Sequence, residues 1–482
     1  MKYQEILSEI PDYKEFLTVD ELDASSIGLA SRYPDRVELT VIGHSRKGHP
    51  IRCLKIGKGT RRVLSFACPH PNEPIGAMTL EYLSGFLAEN EEFLKKMDCT
   101  WYLIKCVDPD GTRLNEGWFK GPFTLRNYAE HYYRPAMKEQ VEWTFPIDYK
   151  NLHFHDPIPE TQALMKLIEE IRPDFLYSLH NAGFGGVFWY ISRDHPSLYS
   201  RLTEIARRQE IPLSLGEPEM PCCVSLAPAV YKMLSVEDMY DFYEKYVCPD
   251  PSMLINSGAS SDSYANRFGG TLTLVSELPY YYNAMVNDET PSDMSRRDAV
   301  LENCERARHC CQFLKGQMEK IGDLIEQDNP FRQMICDLLQ TMGADSDGKI
   351  QMIQNDPQYD RRAKKCEVFD NLYGNTFKWM LFTGLLVHMI REKERELAED
   401  KRNLENQNGC KNSDGRKTRE NQDGCDNWED RKQIFSEVYE AGQKELDQME
   451  DYVTSHVDYE VIPIRKLVAV QLECALAALE YI

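Results

Sequence analysis

The sequence has no long uninterrupted apolar run and too few basic residues to balance its acidic ones. Its most apolar segment, Trp379–Ile390, contains His388 and is shorter than the ~20 residues that a membrane-spanning helix needs. With 56 Lys and Arg against 78 Asp and Glu, the net charge of −22 repels phosphate backbones and anionic lipids. We therefore expect neither nucleic acid nor a membrane among the partners.

The N-terminal residues lack a basic segment followed by an apolar core, so no signal peptide is predicted. No Cys-x-x-Cys motif occurs, and the 15 cysteines are an odd number that includes the adjacent pairs Cys222–Cys223 and Cys310–Cys311. Without an export signal, reduced thiols explain these cysteines more simply than a disulfide framework. The sequence therefore predicts a cytoplasmic protein.

Strand-like and helical patterns alternate up to about residue 300. Val63–Ala67 precedes a helical pattern at Ile75–Leu87, and the helical pattern at Pro159–Ile171 precedes a strand at Phe175–His180. This alternation is typical of an α/β domain with helices packed on a mostly parallel or mixed sheet. We assign residues 1–300 to one such domain.

Residues 301–482 form a second region, in which helical patterns dominate and strand signals nearly vanish. A polar stretch at about 400–430 contains a near-repeat, Glu-Asn-Gln-Asn-Gly-Cys and Glu-Asn-Gln-Asp-Gly-Cys. Because it has few apolar residues to bury, we predict a flexible insertion between two long helices.

Three segments carry residues that could perform chemistry. His70 and Glu73 lie three apart between a strand and a helix, and His180 ends an apolar strand, where open α/β sheets bind ligands. Two histidines and a glutamate are an established set of catalytic zinc ligands that leaves one position open for water. Glu277 ends another strand beside tyrosines, a setting that suits a general base. Taken singly, each residue also fits a plain structural role, as a surface pair, a buried strand-end histidine or an exposed strand-end glutamate.

The order of these motifs resembles the zinc carboxypeptidases of the carboxypeptidase A-like family. The motifs are His-x-x-Glu, Asp-Pro-Asp-Gly, Pro-Glu-Thr before a helix, Leu-His at a strand end and Glu in Leu-x-x-Glu-Leu, over residues 40–285. The resemblance implies a mixed eight-stranded sheet flanked by helices. It also implies His70, Glu73 and His180 as zinc ligands, and Glu277 as general base and acid for a metal-activated water that hydrolyses a peptide bond.

The family also places an arginine between the Asp-Pro-Asp-Gly turn and the third zinc ligand, where it stabilises the oxyanion. Arg113, Arg126 and Arg134 are the candidates, and Arg134 is favoured because an aromatic residue precedes it, as in the family pattern. Arg126 is kept as a substrate-binding candidate.

The sequence departs from the family where an Asn-Arg pair grips the terminal carboxylate of the substrate. Asn151 matches the asparagine, but no arginine follows it, and the neighbouring Lys150 could bind only as a point charge. Strict C-terminal exopeptidase action is therefore not implied. Asn151 remains a substrate-binding candidate, and so does Tyr264, although it lies nearer to Glu277 than the mobile tyrosine of the family does.

Two other functions compete with a peptidase. The stretch Asn72–Gly76 is also similar to the aspartoacylase and succinylglutamate desuccinylase group, which implies a small-molecule amidase or deacylase acting on acylated amino acids. A non-catalytic binding protein on the same fold is the third hypothesis. The sequence leaves the substrate and the oligomeric state open.

Overall fold

The computed structural model of the chain describes residues 3–354, 356–409 and 420–482. The flexible insertion predicted near 400–430 is centred on residues 410–419, which lie outside this range. The described residues on either side are helical up to Gly409 and again from Glu420.

The described residues form fourteen strands, in one large sheet and two small ones. In chain order these are β1 Val37–His44, β2 Pro50–Ile56, β3 Arg61–Ala67, β4 Cys99–Ile104, β5 Ile147–Tyr149, β6 Leu152–Phe154, β7 Phe175–Phe184, β8 Phe188–Ile191, β9 Ser225–Ala227, β10 Val230–Lys232, β11 Leu272–Tyr282, β12 Pro291–Ser295, β13 Arg362–Lys364 and β14 Glu460–Val461.

The large sheet is mixed and has ten strands within the described residues, in the order β1-β2-β4-β3-β7-β11-β8-β10-β9, with β14 added along β11. Its centre is parallel, since β4, β3, β7 and β11 run in one direction. β2, β8 and β10 run against them, whereas β1 is antiparallel to β2 and therefore runs in the same direction as the centre. The predicted mixed sheet is confirmed, with ten strands instead of the expected eight. The short edge strand β9 and the two-residue β14 are among those that carry no signal of their own in the sequence.

The strands of the parallel centre are apolar because both faces of the sheet are covered. Every residue of β7 from Phe175 to Asn181 is buried, and so is β11 up to Tyr281. Continuous apolar runs of this kind are typical of parallel strands between two helical layers. β3 ends at Ala67, opposite Leu179 of β7, whereas β7 and β11 continue to Phe184 and Tyr282. His180 and Glu277 therefore lie within their strands and not at the strand ends expected from the sequence, and they pair directly with each other.

Seventeen α-helices lie within the described residues. They are α1 Gln4–Ser8, α2 Val19–Arg32, α3 Ile75–Glu89, α4 Glu91–Met97, α5 Pro109–Arg113, α6 Glu116–Phe119, α7 Leu125–Glu130, α8 Pro159–Ile171, α9 Pro196–Arg208, α10 Val236–Tyr246, α11 Ser261–Asn266, α12 Arg296–Ile321, α13 Pro330–Gln354, α14 Lys365–Val368, α15 Asn375–Gly409, α16 Glu420–His456 and α17 Ile464–Ala478.

Helices cover both faces of the large sheet and define two cores. One core contains side chains of α3, α9 and α17, and the other contains side chains of α8, α10 and α11. In α8, apolar residues that recur at helical spacing define the buried face of the helix. These residues are Ala163, Leu164, Leu167, Ile168 and Ile171. None of the described helices has the length and apolar character needed to cross a bilayer.

The helices after residue 295 do not all belong together. α12, α13, α15 and α16 pack on one another, and we call residues 296–456 the helical block. α17, in contrast, packs on α3, α9 and β11, and nearly all of its residues are buried. The last helix is therefore part of the sheet's own core, and the helical block is inserted between β11 and α17. The division at residue 300 remains a prediction.

Candidate metal centre and active site

His70 and Glu73 lie in the turn that joins β3 to α3. The backbone N–H of Glu73 donates to the carbonyl of His70 over 3.0 Å, which closes the turn. Cys68 begins this segment with a φ of 55°, a left-handed conformation that costs a residue with a Cβ ~1–2 kcal/mol. His70 and Glu73 are both buried. The turn therefore holds an imidazole and a carboxylate at the edge of the sheet.

β7 brings His180 to the same place. Nδ1 of His180 lies 3.0 Å from Oε2 of Glu73, and the ring centroids of His70 and His180 are 4.8 Å apart. One ligand atom from each of the three residues lies within 4.8 Å of the other two. The structure thus brings together two imidazoles and a carboxylate that are up to 110 positions apart in the sequence.

This set of donors fits a single zinc ion. Nδ1 of His70 is buried and has no hydrogen-bond partner among the described residues, which is unfavourable unless a ligand from outside the chain binds it. Two histidines and a glutamate are a known catalytic zinc set. His70, Glu73 and His180 would hold the ion.

The charges around this group oppose one another. Burial alone lowers the pKa of His180, but the hydrogen bond and charge of Glu73, with the charges of Glu277 and Glu142, raise it to about 9. Burial lowers the pKa of His70 well below its usual value, and the nearby Arg134 and His180 lower it further. The site therefore has one imidazole that attracts a proton and one that excludes it.

Glu277 lies beside His180 on the neighbouring strand, with Oε1 3.9 Å from Nδ1 of the imidazole. Its side chain is buried, and burial raises the pKa of its carboxyl well above the usual value. Glu73 and Glu219 act in the same direction, whereas His180 and Arg134 favour the carboxylate. The predicted base is thus within reach of the metal-ligand group.

Arg134 is the one of the three candidate arginines that reaches this group. Its Nη1 lies 3.5 Å from Oε1 of Glu73, and the side chain keeps 27% exposure, so it remains accessible to a ligand. Arg113 instead pairs with Asp20 of α2 at 2.6 Å.

Arg126 does not lie at this site, contrary to its prediction as a substrate-binding residue. Its guanidinium binds Glu130 one turn on in α7, and Asp447 and Gln443 of α16. Arg126 therefore attaches the sheet domain to the helical block, which the sequence order alone could not show.

Tyr264 is also placed elsewhere. Its hydroxyl donates to Glu169 of α8, and its ring packs against Phe145 and Phe268. Because α11 packs with α8 in the core on one face of the sheet, the phenol is bound within that face and does not reach the metal-ligand group.

Asn151 occupies the exposed turn of the hairpin formed by β5 and β6, and no described contact joins it to the metal-ligand group. Lys150 beside it pairs with Asp241 and Glu244 of α10 at 2.7 and 2.6 Å. The hairpin is therefore held against α10, and the predicted substrate contact of Asn151 is not supported.

The sequence reasoning missed two residues that support His180. Oγ of Ser178 lies 2.8 Å from Nε2 of His180 and donates to Oε2 of Glu142 over 3.1 Å. Oε1 of Glu142 accepts the backbone N–H and the hydroxyl of Ser261 at 3.0 and 2.6 Å. Hydrogen bonds of this kind orient an imidazole so that its other nitrogen faces a metal. Ser178 could have been found, because a residue two positions before His180 lies on the same side of a strand.

α17 supports His180 from the other side. Nε2 of Gln471 donates to the carbonyl of His180 over 3.1 Å, and its Oε1 accepts the hydroxyl of Thr79 at 2.7 Å. The hydroxyl of Tyr177 donates to the carbonyl of Gln471 over 3.0 Å. The last helix thereby links β7 to α3, the two elements that adjoin the candidate ligands.

The family model described as zinc carboxypeptidase matches residues 23–215. This range contains His70, Glu73, Arg134 and His180 in the places just described. Residues 23–215 are therefore similar to the zinc carboxypeptidases. Glu277 lies beyond the matched range, on β11, and its strand pairs directly with His180 inside that range.

Solved structures similar to the chain include a thrombin activatable fibrinolysis inhibitor, at 15% identity and a TM-score of 0.31 over 43% of this chain and 62% of that one. Carboxypeptidase A from Helicoverpa armigera is 16% identical, with a TM-score of 0.36 over 59% of this chain and 72% of that one. A metallo-carboxypeptidase from Burkholderia cenocepacia is 16% identical, with a TM-score of 0.33 over 57% of this chain and 63% of that one. No curated protein matches the sequence.

Proposed function

We propose that this chain is a zinc-dependent peptidase that holds its metal with His70, Glu73 and His180. The observation that carries the proposal is the convergence of these ligand atoms within 4.8 Å, inside the residues that the zinc carboxypeptidase model matches. When bound, zinc would lower the pKa of a coordinated water to ~7 and polarise the carbonyl to be attacked.

Glu277 is proposed as the general base and acid. Its carboxyl takes a proton from the attacking water and later returns it to the leaving nitrogen. The opposed influences on its pKa suit this role, because burial favours the protonated form while His180 and Arg134 favour the carboxylate. Its place beside the metal-ligand group supports the assignment.

Arg134 is proposed to stabilise the oxyanion. Its guanidinium is charged, partly exposed and 3.5 Å from Glu73, so it can donate to an oxygen bound next to the metal ligands. Nε of Arg134 donates to Oε1 of Gln140 over 3.4 Å, which helps to orient the guanidinium. A preformed donor of this kind stabilises the transition state without further reorganisation.

The proposed substrate is a peptide, and the position of the cut stays open. No arginine immediately follows Asn151, and the hairpin that carries it is attached to α10. Nothing at that place thus supports a terminal-carboxylate clamp. Acylated amino acids are a second substrate class to be tested. The cytoplasmic location likewise stays a proposal.

The deciding experiment measures hydrolysis and metal content on the same protein. Zinc-loaded chain should cleave peptides and leave N-acetyl amino acids intact, and Glu277→Gln should lower kcat by about 100- to 10,000-fold while one zinc per chain is retained. Glu92→Gln on the exposed surface of α4 is the matched control and should keep full activity. Near-normal rates in Glu277→Gln would show that another group performs the proton transfer.

A further inference from the structure

The helical block reaches the edge of the sheet that carries His180. A Cβ placed on Gly183, three residues after His180, would lie 2.9 Å from the ring of Phe377 in the first turn of α15. The same ring lies against Tyr128 and Tyr281, with centroids 5.8 and 6.0 Å apart. The absent side chain at position 183 therefore lets α15 approach the proposed active site closely.

Lys378, the next residue of α15, is an exposed cation. The charged groups that act on it are Lys349 and Asp345 of α13, together with Glu219 and Arg134. Arg134, which acts on Lys378, is also the arginine that lies 3.5 Å from Glu73.

Lys378 has no ion-pair partner within the part of the chain that the structure describes. The contacts of its Nζ are the rings of Trp379 and Phe382, at 5.7 and 5.9 Å from their centroids. Lys393, on the same helix, instead pairs with Glu326 and Glu396. Lys378 is therefore a cation available to an incoming ligand.

Each of the two carboxylates near Lys378 accepts a hydrogen bond from a tyrosine hydroxyl. Asp345 accepts the hydroxyl of Tyr243, and Oε2 of Glu219 accepts the hydroxyl of Tyr190 over 2.7 Å. Three cations act in this space, namely Lys378, Lys349 and Arg134.

We propose that Lys378, with Lys349 beside it, binds a carboxylate of the substrate, so that the protein prefers acidic peptides. The inference rests on the proposed peptidase function and names its substrate class. A lysine binds as a point charge, so it selects negative charge without requiring the planar geometry that an arginine clamp reads. The carboxylate can belong to a side chain or to the peptide's C-terminus.

The test compares matched peptides on zinc-loaded protein. N-acetylated tetra-alanine peptides carry one Glu or one Gln at each position in turn, and each is made with a free or an amidated C-terminus. The variants are Lys378→Gln, Lys378→Arg and, as a control that removes the same charge from an exposed position of α16, Lys444→Gln. Binding of the same peptides to Glu277→Gln protein by calorimetry gives a second readout.

We expect the wild type to prefer a Glu peptide over its Gln partner, or a free over an amidated terminus, by about 10- to 100-fold in kcat/KM, the range for a hydrogen bond to a charged group. Lys378→Gln should abolish that preference, whereas Lys378→Arg and Lys444→Gln keep it. The arm that shows the preference identifies the source of the carboxylate.

A preference unchanged in Lys378→Gln, or no preference in a wild type that cleaves these peptides, would overturn the inference and leave the peptidase proposal standing. If no peptide is cleaved, the peptidase proposal fails and calorimetry decides the carboxylate site alone. Tighter binding of acidic peptides that is lost in Lys378→Gln would support the site, and equal binding of the Glu and Gln peptides would refute it.

Discussion

Replacing Ser178 with alanine would remove the hydroxyl that joins His180 to Glu142. In the structure this hydroxyl lies 2.8 Å from Nε2 of His180 and 3.1 Å from Glu142. Its loss frees the imidazole to rotate and leaves one oxygen of a buried carboxylate without a donor. Substitution of such supporting partners typically lowers metal affinity 10- to 100-fold, which corresponds to about 1.4–2.7 kcal/mol.

The assay is a zinc titration against a chelator of known affinity, with the folded state checked by circular dichroism. Ser276→Ala is the matched control, because Ser276 is a buried serine of the neighbouring strand that hydrogen bonds Tyr177 at 2.7 Å instead of His180. Ser276→Ala should cost stability but bind zinc as the wild type does.

The partner substitution extends the test. Glu142→Gln should weaken zinc binding by a similar factor, and the double variant should lose little more than either single one, because both act through the same contact to His180. Zinc affinity within twofold of wild type in folded Ser178→Ala protein would show that the imidazole does not depend on this support, and the orientation argument would be wrong.

The remaining predictions concern turnover, pH and packing. Arg134→Met should lower kcat/KM on peptides by about 100- to 1,000-fold with zinc content unchanged, and a smaller loss would remove Arg134 from the oxyanion site. Burial raises the pKa of Asp108 to about 7, so between about pH 4 and 7 the folded chain holds a proton that the unfolded chain has released, and stability is lost as pH rises through this window. Asp108→Asn can keep the hydrogen bond from the N–H of Gly111 but has no proton to lose. Its free energy of unfolding relative to wild type, measured with denaturant, should therefore rise between pH 5 and pH 8 by on the order of 2 kcal/mol, and a difference that does not change with pH would contradict the raised pKa. Gly384→Ala would place a Cβ 1.9 Å from the carbonyl oxygen of Ala129 and should cost about 1–3 kcal/mol, while the control Gly316→Ala, with nothing within 4 Å, should be neutral or stabilising.

The sequence predicted the elements whose signals are local. Pro159–Ile171 is helical over the predicted bounds because a proline opens it and apolar residues follow at helical spacing. The runs at Val63–Ala67 and Phe175–His180 lie within β3 and β7, since apolar strands covered on both faces need little tertiary information to be recognised. His70, Glu73 and His180 converge because β3 ends beside Leu179 of β7, so the turn after β3 lies next to His180 although β7 itself continues to Phe184.

The failures share one cause, which is that they depend on packing between distant segments. The sequence favoured Arg134 over Arg126 only through the aromatic residue before it, and the contact of α7 with α16 is what shows that Arg126 is bound elsewhere. Tyr264 points to Glu169 because α11 packs with α8 on one face of the sheet. No periodicity in the sequence carries this information.

The helical block illustrates the same limit. Its helices were predicted from their patterns, but their assignment as one region with α17 could not reveal that α17 returns to the sheet to bind the carbonyl of His180 through Gln471. The exposed position of Lys378 beside the active edge likewise depends on how Phe377 packs against Gly183.

The most direct test of the central claim is the zinc content of purified chain, measured by elemental analysis together with zinc X-ray absorption. We predict one zinc per chain with two imidazole nitrogens and one carboxylate in its coordination sphere, and loss of that zinc in the variants His70→Ala and His180→Ala. A wild type without stoichiometric metal, or variants that bind zinc as tightly as the wild type, would contradict the account.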